Sequence, residues 1–182
     1  MDEQVLRAMA RWPDVPAVWG WLRLDRRGRW LLVDRGRPGF DEARDGAGSP
    51  IGNPQIVEFI GRNYAADEAG RWYWQNGPQR VYVDVESAPL VLRVLGTAPR
   101  LRLVAHTGLP IARVDQAWLG PAGEVLLRTD AGPAVVHDLD LAALALSQDG
   151  DAVVLEIDGR ALRLEATDSP PDTLGFVAKP RG

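Results

Sequence analysis

The chain has 182 residues, 46% hydrophobic and 25% charged, with a net charge of −4 and no cysteine. At this length about 70% of the unfolded chain's surface can be buried, so one large domain or two small ones can hold a core without staples. The missing thiols exclude disulfides, thiol nucleophiles and thiolate metal sites, and the acidic balance argues against a nucleic-acid binder.

Taken in chain order, residues 2–12 (DEQVLRAMARW) space Val5, Leu6, Met9 and Trp12 as one helical face, and Pro13 and Pro16 end it. This acidic start with spaced apolar residues is unlike a signal peptide, and no apolar run reaches the roughly 18 residues of a membrane span. Without cysteine, the chain reads as cytoplasmic. Of its 21 basic residues, 20 are arginine, a bias that fits a GC-rich bacterial genome.

Residues 17–24 and 30–34 read as a hairpin around Asp25-Arg26-Arg27-Gly28-Arg29, with Trp19 and Trp21 sharing one strand face. Residues 35–52 hold five glycines, two prolines and six charges, which predicts a long irregular loop. So much backbone freedom, with few apolar anchors, suggests a mobile lid over Asn53, open to trypsin after Arg35 or Arg44. Gly46, Gly48 and Gly52 do not form a phosphate cradle, because no strand leads straight into them. Asn53 as cap and Pro54 at the first position open a helix over 53–66, with Ile56, Val57, Phe59, Ile60 and Tyr64 as its buried stripe.

The stretch GRWYWQNGPQRVYVDVE (70–86) is a hairpin whose register turns on Pro78. Proline cannot donate across an Asn76-Gly77 turn, so a four-residue loop, Gln75–Pro78, is favoured, with Trp74 opposite Gln79 and Trp72 opposite Val81. A three-residue loop would mix aromatics and valines on both faces. In the favoured register Trp72, Trp74, Val81 and Val83 are core, and Tyr73, Arg80, Tyr82 and Asp84 face outward. An aromatic–guanidinium–aromatic face can hold a planar or anionic partner, or can be a plain solvated surface.

Further strands are expected at Leu90–Leu95 and Leu101–Ala105 around Gly96-Thr97-Ala98-Pro99, at 113–119 and 124–129, at Ala134–Val136, and at 152–158 and 160–166 around Asp158-Gly159. Residues 138–147 (DLDLAALALS) are helical by composition, with Asp138 as cap. The tail 167–182 is proline-rich and expected to be extended or disordered, although Leu174 and Phe176 offer docking side chains. WGWLRLDRRGRWLLVD and QAWLGPAGEVLLRTD share a pattern, which suggests duplicated β-β-α-β-β halves.

The expected fold class is therefore α+β, mostly antiparallel hairpins with two or three helices. Its parts are an aromatic-rich half at 1–105, a β-rich half at 106–166 and the tail at 167–182. His106 and His137 lack metal-ligand spacing, and their plain reading is one histidine bonded to backbone and one near a helix cap. No G-x-S-x-G elbow occurs, and Asp41/Glu42 and Asp67/Glu68 read as solvated charge.

Residues 51–86, with N-P-x-x-x-E-F-I-x-R-N-Y leading into G-R-W-x-x-Q-N-G-P-Q-R-V, resemble a family of uncharacterised proteobacterial proteins, a domain of unknown function. The resemblance spans residues from about 12 to 150. It implies a shared fold and a bacterial origin, and no activity.

The functional expectation is a non-catalytic accessory or ligand-binding protein, with Tyr73, Arg80, Tyr82, Arg62 and Asn63 as candidate ligand contacts. One alternative is an enzyme acting on an anionic or sugar-like molecule between loop 35–52 and helix 53–66, using Arg62, Asn63, Arg80 or Asp67. Another is a subunit that docks through an aromatic surface. No cofactor or metal is expected. The partner is an unknown small molecule or protein, with no nucleic acid and no membrane, and a homodimer is one arrangement.

Overall fold

In the computed structural model, residues 1–96, 101–157 and 159–182 are described. Thr97-Ala98-Pro99 of the expected connection and Asp158 of the expected turn lie outside them. The chain divides into two units. The first comprises Met1–Asp25, Arg29–Glu86 and Phe176–Gly182, and the second Arg26–Gly28 and Ser87–Gly175. The chain passes from one to the other at 25/26, 28/29, 86/87 and 175/176. Among the described residues no helix is long and apolar enough to cross a membrane.

The first unit opens with α1 (Glu3–Arg11), which buries Val5 and leaves Leu6 and Trp12 exposed. Strands β1 (Val18–Leu24) and β2 (Trp30–Leu32) follow, then α2 (Glu42–Asp45) and β3 (Ser49–Pro50). Next come α3 (Pro54–Arg62), β4 (Tyr64–Ala66), β5 (Trp72–Asn76) and β6 (Gln79–Val85). The six strands form one sheet in the order β3-β2-β1-β6-β5-β4.

Two sequence expectations are corrected in this unit. Residues 35–52 are not irregular throughout, because their charges pair with one another. Asp41 caps α2 by accepting from the Arg44 amide at 2.9 Å, and Arg35 binds Glu42 at 2.8 Å and the Gly20 carbonyl at 2.7 Å. The helix expected over 53–66 stops at Arg62. Asn63 ends it: its Nδ2 donates to the Phe59 carbonyl at 2.9 Å, and its own carbonyl accepts from Gln75. Tyr64 thus enters the sheet, and Ile56 is exposed rather than part of a buried stripe. Asn53 does cap the helix, accepting from the Gln55 amide at 2.9 Å.

The second unit contains β7 (Leu90–Leu95), β8 (Arg102–Ala105), β9 (Pro110–Ile111), β10 (Val114–Leu119), β11 (Val125–Thr129) and β12 (Gly132–Val136). After a 3-10 segment at Asp138–Ala143 come β13 (Ala145–Asp149), β14 (Ala152–Ile157), β15 (Arg160–Ala166) and α4 (Pro170–Leu174). Its nine strands run β13-β14-β15-β10-β11-β12-β7-β8-β9. Leu92, Leu126, Leu127 and Leu155 are fully buried there.

The helix expected at 138–147 is corrected to a 3-10 segment followed by a strand. His137 Nδ1, not Asp138, is the cap, accepting from the Leu139 amide at 3.1 Å, while Asp138 pairs with Arg27 at 2.7 Å. Residues 145–149 find a complete antiparallel partner in β14, which outweighs a weak compositional preference for helix. His106 is also bonded to backbone, its Nδ1 accepting from Val91 at 3.2 Å.

The tail at 167–182 is corrected as well. Pro170 sits in the first turn of α4, where its missing N–H costs nothing, and Leu174 is buried in the second unit. Phe176 is buried in the first unit, where Arg181 pairs with Asp84 at 2.8 Å and the Val85 amide donates to the Ala178 carbonyl.

Both sheets are built from three-stranded antiparallel meanders: β1-β2-β3, β4-β5-β6, β7-β8-β9, β10-β11-β12 and β13-β14-β15. They are joined by one rule. The last strand of a meander lies parallel to the first strand of the one before it: β6 to β1, β12 to β7 and β15 to β10. The two similar sequence stretches each open a meander, as β1–β2 and β10–β11. The unit that recurs in the strand order is a three-stranded meander.

Candidate functional site

The hairpin β5–β6 is tighter than the favoured sequence register. Trp74 pairs with Val81, Tyr73 with Tyr82, Gln75 with Arg80 and Asn76 with Gln79, leaving only Gly77-Pro78 in the loop. Gly77 has φ +57°, and proline supplies a fixed negative φ after it, the sign pattern of a II′ turn. Here Pro78 is a central turn residue and owes no ladder hydrogen bond, so the objection to a two-residue loop disappears. A slip of two residues changes every partner but keeps every side chain on its face. Trp72, Trp74, Val81 and Val83 do share one face, with Phe59 of α3 packed edge-on against Trp74 at 6.0 Å. Tyr73, Gln75, Arg80 and Tyr82 share the other.

That second face is not a plain solvated surface, because β1 brings Trp19 to it. Gly20 has φ +72°, and the β1–β6 register shifts between Val18 and Leu22, so a glycine-dependent bulge redirects the strand. Trp19 then lies flat on Tyr82, with ring centroids 3.8 Å apart and planes 1° from parallel. The Arg71 guanidinium stands 5.6 Å from the Trp19 ring centre and 5.1 Å from that of Tyr82. Asp67 fixes this group. It accepts from Arg71 at 2.8 Å, from the Tyr82 hydroxyl at 3.0 Å and from the amides of Ala69 and Arg71.

Arg80 is placed differently. Its guanidinium lies 4.2 Å above the Tyr73 ring, and among the described residues no carboxylate forms an ion pair with it. Interaction with the Tyr82 hydroxyl raises its pKa further above the ordinary arginine value. Arg71 is therefore neutralised by Asp67, whereas Arg80 offers a net positive charge held in place by an aromatic seat.

Trp19, Arg71, Arg80 and Tyr82 line a groove of about 450 Å³. Its lining also has an apolar part, made by Met9 of α1 and by Trp12, Pro13 and Val15 after it. Pro13, read from the sequence as a helix stop, thus also belongs to this lining. The volume lies in the range of small-molecule sites, and a mostly apolar lining with a few polar groups is their usual character.

Of the residues expected to contact a ligand, Arg80 and Tyr82 line this groove, while Tyr73 is the buried ring on which the Arg80 guanidinium rests. Arg62 and Asn63 do not line it. Arg62 pairs with Asp2 at 3.2 Å, and the buried Asn63 accepts from the Asp2 amide at 2.7 Å, so both tie down the start of α1. Sequence reasoning missed Trp19, Arg71 and Gln75. The concentration of tryptophan in the first 75 residues is the available signal for Trp19, and Arg71 and Gln75 stand at fixed positions of the G-R-W-x-x-Q-N-G-P-Q-R-V motif. A second groove of about 360 Å³ lies at the 35–52 segment, lined by Leu32, Asp34, Arg37, Arg44, Asp45 and Ser49 among others, none of them from α3. Its Arg44 is committed to Asp45 at 2.7 Å.

The carboxylates that organise both grooves predict an acid response. Burial works to raise the Asp67 carboxyl, but hydrogen bonds from Arg71 and Tyr82 outweigh it and hold the pKa below its ordinary value. Hydrogen bonds from Arg44 and the Asp41 amide bring Asp45 down to about 2. A pKa lowered by folding gives stability that is present above the unfolded value, near 3.9, and is lost as pH falls through the folded one. Melting temperature followed by circular dichroism should stay level from pH 7 to 5 and fall steadily from pH 4 to 2. Asp67→Asn should remove part of that fall. A main loss between pH 7 and 5 would contradict this assignment.

Among solved structures, the chain is similar to the crystal structure of a DUF1285 family protein from Silicibacter pomeroyi DSS-3. The two share 20% identity over 84% of each chain, with a TM-score of 0.55. It also matches a DUF1285 family protein from Shewanella baltica OS155 at 16% identity and a TM-score of 0.46, over 67% of this chain and 87% of that one. The first likeness shows a shared fold. No curated protein matches the sequence. Residues 1–181 match the family DUF2944, described as "Protein of unknown function (DUF2946)", and the chain belongs to that family.

Proposed function

We propose that the first unit binds a small anionic molecule with a flat, apolar body in the groove at Arg80, and that the protein acts as a ligand-binding or accessory component rather than as a catalyst. The observation that carries this reading is the contrast between the two groove arginines: Arg71 is paired with Asp67, while Arg80 lines the groove with no carboxylate ion-paired to it among the described residues. A cation seated on an aromatic ring beside an apolar wall favours an anion joined to a planar group. The arginine bias supports a bacterial source, and the lack of cysteine suits the cytoplasm.

Arg80→Met separates charge from packing, since a methionine can still cover Tyr73. The variant should melt within about 1 kcal/mol of the wild type. Titration calorimetry with benzoate, 2-naphthoate and indole-2-carboxylate should give wild-type binding that strengthens with ring area. It should weaken on the order of tenfold or more in Arg80→Met, as expected for a lost charge-assisted contact. Equal affinity in both proteins would overturn the reading.

A further inference from the structure

Gln75 lines the same groove and sits directly across the β5–β6 ladder from Arg80. It is 1% exposed, so its amide needs its hydrogen bonds met internally. One half is met: Nε2 donates to the Gly77 carbonyl at 2.9 Å. That bond fixes the orientation of the amide, because a carbonyl can only accept, and turning the amide over would set two oxygens against each other. The other half is not met. Oε1 is buried and accepts from no protein group. The residues lining the groove therefore include a cation and, on the neighbouring strand, a glutamine whose buried acceptor has no donor among the described residues.

We infer that the ligand carries an N–H or O–H donor beside its acid group, and that Gln75 is the residue that selects for it. This rests on the anion reading of Arg80 and adds a second requirement. Cross-strand partners on one face have their Cβ atoms roughly 5 Å apart, so one small ligand can meet both residues. The rings of Trp12, Pro13 and Trp19 among the lining residues favour a planar body. Together these describe a heteroaromatic acid whose ring N–H flanks its carboxylate. The carboxylate meets Arg80 and the ring N–H donates to Gln75 Oε1. An analogue that matches it in shape but turns a lone pair toward Oε1 is rejected, because two acceptors then face each other away from water.

The test uses two probes of nearly the same outline, indole-2-carboxylate and benzofuran-2-carboxylate, titrated into the full chain by calorimetry. Indole-2-carboxylate should bind on the order of tenfold more tightly or better. Gln75→Leu should bring the two affinities together. The wild-type comparison decides the matter even if that variant folds poorly. Equal wild-type affinities, with both lost in Arg80→Met, would overturn the donor requirement and leave the anion site standing. No binding of either probe, or binding indifferent to Arg80→Met, would overturn both.

Discussion

Trp72→Ala is expected to lower the unfolding free energy by about 3–5 kcal/mol, read from denaturant melts. Trp72 is 6% exposed, on the face of β5 that it shares with Trp74, Val81 and Val83. Its ring lies 4.8 Å from Tyr64, which meets Trp30 edge-on at 4.9 Å. The three rings form a continuous aromatic layer joining β2, β4 and β5, with Trp72 at one end. Removing a large ring from a close-packed layer leaves a void that its neighbours cannot fully collapse into, so the cost should fall among the larger core truncations. Trp72→Phe should recover more than half of the loss, because it restores a ring of smaller area. A loss below about 1 kcal/mol for the alanine variant would mean that this face is not the core.

Tyr73→Ala should cost about 2–4 kcal/mol, despite lying on the opposite face. The register favoured from the sequence made Tyr73 an outward residue whose removal matters little. It is instead 8% exposed, packed against Tyr82 at 5.8 Å and covered by the Arg80 guanidinium. The effect reaches beyond stability, since Arg80 loses the ring that holds it over the groove. Tyr73→Phe keeps that ring and should keep both stability and any ligand affinity. If Tyr73→Ala melts like the wild type, the packing of Arg80 on this face is wrong and the proposed site loses its frame.

Local signals in the sequence were read well wherever one residue type dictated the geometry. Asn53-Pro54 opens α3, and Gly28 and Gly123, both at positive φ, sit in the turns of their hairpins. Faces along β5 and β6 were also legible, since alternation survives a register slip of two. What was not legible depended on contacts distant in sequence. Asn63 ends α3 because Asp2 and Gln75 meet it, 61 and 12 positions away. The 35–52 segment was judged by its glycines, whereas the pairing of Arg35 with Glu42 and the cap at Asp41 order part of it. Residues 145–149 became a strand because β14 was there to pair with. For the groove, Arg80 and Tyr82, and the Tyr73 ring that seats Arg80, are legible from one hairpin. Trp19 is not, because its approach to Tyr82 needs the parallel pairing of β1 with β6, which no local pattern specifies.

The central claim is that the Arg80 face of the first unit is a binding site. The most direct measurement is a nitrogen–proton NMR titration of labelled protein with indole-2-carboxylate, following tryptophan indole and arginine side-chain resonances assigned by mutation. The Trp12 and Trp19 indole signals and the Arg80 Nε–H signal should move together along one saturating curve, while the Trp118 indole, in the second unit, stays still. Shifts confined to Arg37 and Arg44, or spread over the surface without saturation, would contradict it.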